Sequence, residues 1–269
     1  MENVIRVLFL GDIVGPLGRI GVKKYLALHK EADDIDFVIA NGENTTHGHG
    51  LSYEHYKELL SYGVDCLTSG NHFFNTPDCF NHAKDMVAAI RPYNLDKGAP
   101  GVGSKVFMLK DGTKIRVSNV LGRVYLTMTQ GNPFYALDEI IKEDNGESLI
   151  HIVDMHAEAT AEKRCIAEYV DGKVTAVLGT HTHVQTNDAK CLNKGTFFLT
   201  DAGMNGAYDS SLGDEKAPSI YRTMTGMPTT LSVPRTGKAL INGVRMDIDR
   251  NTGKVVEYLL INETAEGTL

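Results

Sequence analysis

Val7-Leu8-Phe9-Leu10-Gly11-Asp12 sets the pattern of this chain: a short apolar run stops at a small residue and then presents a polar side chain. Phe37-Val38-Ile39-Ala40-Asn41-Gly42 likewise leads into Glu43-Asn44, and Cys66-Leu67-Thr68-Ser69-Gly70 into Asn71-His72. Ile150-His151-Ile152-Val153-Asp154-Met155 ends in His156, and Val177-Leu178-Gly179-Thr180 in His181-Thr182-His183. Runs of this length, bounded by turn formers, read as buried strands. Amphipathic stretches at 18–28, 52–60 and 161–169 alternate with them, which implies βαβ units and a largely parallel core. Open parallel sheets bind ligands at the carboxyl ends of their strands. Five runs therefore deliver metal-capable side chains to one edge.

Elsewhere, 104–109 and 114–120 read as a hairpin, because Asp111-Gly112 suits a tight primed turn. A helix follows Asn132-Pro133, where Asn caps and Pro fits the first turn. Further strands are expected at 174–179 and 197–200, and an antiparallel pair at 239–248 and 255–261. The stretch 205–236 reads as loops. No repeat or linker-like segment divides the chain, so one domain is expected over 1–269. The fold class is α/β, with two packed mixed β-sheets flanked by helices.

A chain of 269 residues can bury a large core, and 42% apolar with 23% charged residues is ordinary for a globular protein. The net charge of −7 argues against a duplex nucleic-acid partner. An anionic small substrate stays open, because bound divalent cations reverse the local field. No run approaches the ~20 apolar residues of a membrane span, and the start lacks a signal-peptide pattern. Cys66, Cys79, Cys165 and Cys191 are scattered without a CxxC pair, as reduced thiols would be. A cytoplasmic protein with no membrane partner is expected. Oligomeric state stays open, a homo-oligomer included.

Each run end has a bland reading beside the chemical one. Asp12 fits a helix cap, Glu43 and Asn44 a solvated loop, Asn71 and His72 a turn, and His156 a hydrogen-bonded core histidine. Five coincident placements favour one shared site instead. If His181 and His183 lie on a strand, they share a face with about 6.7 Å of rise between them. They can then converge on two ions ~3.5–4 Å apart. Carboxylate, carboxamide and imidazole without thiolate suit Fe or Mn, with Zn also compatible. Two ions need a shared anion, and Glu43 is the natural bridge.

Competing motifs fail. The glycine-rich stretch 98–105 places Lys105 after Ser104 outside any strand-to-helix context, so it is not a P-loop. No G-x-S-x-G elbow occurs. His47 and His49 border the site or lie free on the surface. His29, His55 and His82 fall on helix surfaces.

These same residues resemble the calcineurin-like metallophosphoesterase superfamily, and more closely its bacterial YmdB-type branch of cyclic-nucleotide phosphodiesterases. The similar motifs are Gly11-Asp12, Asn41-Gly42-Glu43-Asn44, Gly70-Asn71-His72, His156-Ala157-Glu158-Ala159-Thr160 and the segment 179–186. Arg91-Pro92-Tyr93-Asn94 and Thr200-Asp201-Ala202-Gly203-Met204 are also similar. The resemblance implies a four-layer αββα sandwich. It implies two divalent or trivalent ions, one held by Asp12, Glu43, Asn44 and His183, the other by Glu43, Asn71, His156 and His181. Val14 stands at the histidine position of the superfamily's usual Asp-x-His first motif, and Asn44 supplies the missing ligand. Phe73-Phe74 stands where the branch has Thr and Trp; these rings either stack on a base or fill the core. The implied activity is hydrolysis of 2′,3′-cyclic nucleotides at the 2′ bond, with His72 as the general acid. A phosphomonoesterase or nucleotidase on the same ions is the first alternative. A regulatory protein that binds nucleotide or RNA is the second.

Overall fold

The computed structural model describes residues 3–126 and 130–267. In chain order its elements are β1 (Val4–Ile13), α1 (Gly15–His29), β2 (Phe37–Asn41), α2 (Tyr53–Ser61), β3 (Cys66–Thr68), α3 (Pro77–Asn81), β4 (Ser104–Met108) and β5 (Lys114–Leu121). Then come α4 (Pro133–Asp144), β6 (Ile150–His156), α5 (Thr160–Tyr169), β7 (Ala176–Thr180), β8 (Lys190–Cys191), β9 (Phe197–Leu199), β10 (Met204–Ala207), α6 (Lys216–Thr225), β11 (Gly237–Asp249) and β12 (Val255–Gly267). One sheet runs β12-β11-β10-β1-β2-β3 and the other β4-β5-β6-β7-β9-β8. The strands that carry the run ends are parallel, β1-β2-β3 in the first sheet and β6-β7 in the second, so those ends share one edge of the sandwich.

Side-chain alternation along the strands builds the layers. Ile5, Val7 and Phe9 of β1 meet Ile150 and Ile152 of β6 and Ala176 and Leu178 of β7 between the sheets. Leu8 and Leu10 point outward onto Val22 and Leu26 of α1 and Leu59 of α2. On the far side, Val153 and Met155 of β6 pack on Leu137 of α4 and Ile166 of α5. Helices thus cover both outer faces, which gives the expected αββα sandwich.

One irregularity decides where the chemistry sits. The pairing of β1 with β2 steps from Leu10↔Ala40 to Asp12↔Asn41, leaving Gly11 as the extra residue of a bulge. Strict alternation would send Asp12 outward with Leu8 and Leu10. The bulge resets the period, so Ile13 joins the outer layer and Asp12 turns to the inter-sheet side. Bulges re-aim side chains in this way.

Four expectations need correction. The segment 205–236 is not all loop: it contains β10, which pairs with β1 and β11, and the exposed helix α6. Helix α1 starts at Gly15 rather than Gly18, with Pro16 in its first turn. The β4–β5 turn is not primed. Gly112 alone has a positive φ there, of 87°, and Gly112 N–H donates to Leu109 O while Leu109 N–H donates to Thr113 O. That is a three-residue loop with glycine in the left-handed position. Finally, β7 stops at Thr180, so His181 and His183 lie beyond the strand.

Candidate metal centre

The inter-sheet layer is apolar until it nears the carboxyl ends, where Asn41, Thr68, Asn119, Asp154 and Thr180 replace the aliphatics and are fully buried. They form one network. Asn41 Nδ2 donates to Asp154 Oδ2 at 2.9 Å and to Ser69 O at 3.0 Å, and its Oδ1 accepts the Glu43 amide at 3.0 Å. Thr68 and Thr180 hydroxyls both donate to Asp154, Thr180 at 2.6 Å. Thr180 Oγ1 also lies 2.8 Å from His156 Nδ1. Its proton is committed to Asp154, so it accepts from His156 Nδ1–H, which leaves Nε2 as the free lone pair. Outer partners commonly fix a ligating histidine in this manner.

That Nε2 is the centre of a cluster. It stands 3.2 Å from Glu43 Oε1, 3.1 Å from Asn71 Oδ1 and 3.1 Å from His181 Nδ1. Glu43, His156 and His181 form the group of donor atoms able to share one ion among the described residues. Ligand atoms 2.0–2.2 Å from an ion stand roughly 3–3.5 Å apart, which these edges match. His181 turns its other nitrogen to Glu158, with Nε2 3.1 Å from Oε2, a carboxylate–histidine pair that commits Nδ1 to the cluster.

A second cluster adjoins it through Glu43. Asn44 Nδ2 lies 3.3 Å from Glu43 Oε1 and 3.1 Å from His183 Nε2, and His183 Nε2 lies 3.9 Å from Asp12 Oδ1. A cation here would take the Asn44 amide by its oxygen, reached by a half-turn of the amide. His183 Nδ1 donates to Leu212 O at 2.8 Å, so the 205–236 segment helps to aim this ring.

His181 and His183 converge because both take positive φ, 96° and 64°. Histidine adopts that region at a cost of about 1–3 kcal/mol when the surroundings demand it.

The electrostatics call for positive charge. Burial opposes ionisation of Glu43, but His156 outweighs it and holds the carboxyl down at about 2. Burial pushes Asp12 up to about 6 against the pull of His183 and His156. Burial disfavours charge on His156, yet Glu43, Asp12 and Asp154 raise it to about 9. His181 is pushed down to about 3 by burial and by its charged neighbour His156. The carboxylates thus favour positive charge at this point of the site.

Two features fit metal ions rather than a salt-bridged core. Asp12 Oδ1 is fully buried and has no hydrogen-bond partner. Gly70 cannot carry a side chain: a Cβ there would sit 2.0 Å from Glu43 Oε2 and 2.3 Å from His156 Nε2. All the sequence-derived candidates, Asp12, Glu43, Asn44, Asn71, His72, His156, His181 and His183, therefore meet at one edge of the sandwich.

His72 borders the clusters, its amide donating to Glu43 Oε2 at 3.2 Å. Asn75 Nδ2 donates to His72 Nδ1 at 2.8 Å, which places the ring proton on Nε2. Burial lowers the His72 pKa, as do the nearby rings of His49, His156 and His183, against the Glu43 charge. His49 packs against His72 with ring centroids 4.6 Å apart and the rings tilted by 46°, whereas His47 meets His55 edge-on instead. Phe73 is buried in the core beside α2, and Phe74 is partly exposed against it. Val14 precedes α1 without a side-chain cap and packs at Gly213 and Gly206.

The family model described as YmdB-like protein matches residues 8–261. The chain belongs to the YmdB-like family. It is 41% identical over 261 residues to the 2′,3′-cyclic-nucleotide 2′-phosphodiesterase of Bacillus subtilis (strain 168), covering 96% of this chain and 98% of that protein. A solved structure from Mycoplasma pneumoniae, described as a novel phosphatase, superposes with a TM-score of 0.91 at 39% identity, covering 98% of this chain and 95% of the other. A hypothetical protein from Thermus thermophilus gives 0.90 at 35% identity, covering 97% and 99%. This YmdB-like chain has no helix among its described residues long and apolar enough to cross a membrane.

Its Asp154, Thr180, Asn41 and Glu158 escaped the reading of run ends. Asp154 and Asn41 carried a signal, each being a polar residue near the end of a buried run and two positions before a candidate ligand.

Proposed function

We propose that this chain is a metal-dependent phosphodiesterase acting on 2′,3′-cyclic nucleotides, cleaving the 2′ bond to leave the 3′-monophosphate. The observation that carries the reading is the convergence of Glu43, Asn71 and His181 on His156 Nε2, each at 3.1–3.2 Å, beside the unpartnered Asp12 Oδ1. The name of the Bacillus subtilis relative supports the substrate class.

Asp12, Glu43, Asn44 and His183 would hold one ion, and Glu43, Asn71, His156 and His181 a second, with Glu43 shared. The donor set favours iron or manganese, with zinc compatible. Two ions there would supply Lewis acidity to the phosphate oxygens and lower the pKa of a water able to act as nucleophile. The protein residues do the rest. Glu158 and Thr180 keep the lone pairs of His181 and His156 turned inward. His72 would act as general acid in its imidazolium form, giving its Nε2 proton to the departing 2′ oxygen while the Asn75 side chain, after a half-turn of its amide, accepts the Nδ1–H through its oxygen. A strained five-membered cyclic phosphate is the ester for which such in-line attack is easiest. The tool for the test is chromatographic separation of product isomers. Preferred turnover of 2′,3′-cyclic AMP over 3′,5′-cyclic AMP and the monoesters, with 3′-AMP as product, is expected. Preferred turnover of a monoester would move the reading to a nucleotidase.

A further inference from the structure

Lys163 projects from α5 into the body of the protein and is fully buried, as is Asp201 after β9. Its Nζ donates to Asp201 Oδ2 at 2.8 Å. The same oxygen accepts the Thr182 amide at 3.2 Å and the Thr182 hydroxyl at 2.7 Å, while Oδ1 accepts the Gly203 amide at 2.8 Å. Thr182 lies between His181 and His183, the two histidines with positive φ. Backbone of that kind persists only where neighbours hold it, and Thr182 is the residue through which α5 and the β9–β10 connection grip it. The lysine stem has a lane of its own: a Cβ at Gly179 would meet Lys163 Cδ at 2.9 Å and Thr200 O at 1.7 Å. A long cationic side chain, a bare glycine and a buried carboxylate thus join in one strut that ends at the turn between the two imidazoles.

We propose that Lys163 and Asp201 are positioning residues for the metal centre, acting through Thr182 to set the His181 and His183 rings. This rests on the proposed two-ion reading, and it goes beyond that reading by assigning a role to a charge pair that touches no substrate. A buried ion pair is costly to desolvate and is often replaceable by apolar residues without loss of stability. Its presence directly behind a strained ligand turn therefore points to specification of geometry. Removal of outer partners of ligating histidines typically weakens metal binding roughly 10–100-fold.

The test uses the full-length protein and three variants, Lys163→Met, Thr182→Val and Lys163→Met with Asp201→Asn. Manganese binding is measured by titration calorimetry, folding by thermal melting, and the 181–183 turn by its backbone amide resonances in metal-free protein. Thr182→Val keeps the fold and removes one bond, so it should weaken manganese binding roughly tenfold or more with little change in melting. Lys163→Met should weaken manganese binding likewise and shift the 181–183 amides, and it should also lower the melting temperature, because Asp201 is left buried and unpaired. The double variant should recover stability, because no buried charge is left unpaired, without recovering full affinity. Unchanged affinity and unchanged amide resonances in Thr182→Val and Lys163→Met, with only the melting temperature lowered, would overturn the strut. If the wild-type chain binds no manganese, the two-ion reading fails separately, and the amide resonances alone decide the strut: a shift confined to the turn supports it, and none refutes it.

Discussion

A buried carboxylate oxygen without a hydrogen-bond partner, such as Asp12 Oδ1, carries a desolvation cost that a proton or a cation relieves. Burial raises the Asp12 pKa and the surrounding carboxylates raise that of His156, so both shifts favour added positive charge at the site. Glu43→Gln tests the shared ligand, since it keeps the shape and removes the charge. Bound metal and turnover should fall together; a full metal complement with full activity would contradict the bridge. His72→Ala separates chemistry from binding. Both ions should stay while turnover of a cyclic nucleotide drops by roughly 10²–10⁴, and the loss should shrink for a nitrophenyl ester, whose leaving group needs no proton. An equal loss for both esters would make His72 a positioning group.

At the scale of elements, ligand placement depends on details that hydropathy does not record. The run ends at Asp12, Glu43, Asn71, His156 and His181 were legible because buried parallel strands leave long apolar runs that must stop at a polar edge. The bulge at Gly11 was not, since a one-residue register shift leaves no mark on composition; nor was the positive-φ turn that replaces the expected strand under His181 and His183. Strand β10 spans only Met204–Ala207, and α6 buries none of its residues, so neither shows the periodicity by which elements are read. The Phe73-Phe74 pair divides, the first filling the core and the second left partly exposed. Thr180 gives a prediction at this scale, because its hydroxyl ties the end of β7 to β6. Thr180→Val leaves Asp154 and His156 Nδ1–H without that partner, so it should cost about 1–3 kcal/mol in stability while weakening manganese binding roughly 10–100-fold, read by titration calorimetry. Undiminished affinity would show that His156 is oriented without it.

For the whole molecule, the two sheets share the core whose polar mouth is the candidate metal centre, so ion binding there would be linked to folding. Each ion bound only to the folded chain adds about 2.7 kcal/mol at a hundredfold excess over Kd, which for a chain of this size is roughly 5–10 °C in Tm per ion. Chelation should lower Tm by that order and manganese should restore it; an unmoved Tm would count against the linkage. Packing is the larger factor. Phe9 is fully buried between the sheets three residues before Asp12, and Phe9→Ala should cost about 3–5 kcal/mol in denaturant melts. The most direct measurement is a titration of metal-free protein with manganese, following bound ions per chain and turnover of 2′,3′-cyclic AMP in the same samples. Activity should rise from baseline and level off as two ions per chain are bound. Full turnover in the metal-free protein, or a plateau at one ion, would contradict a two-metal phosphodiesterase.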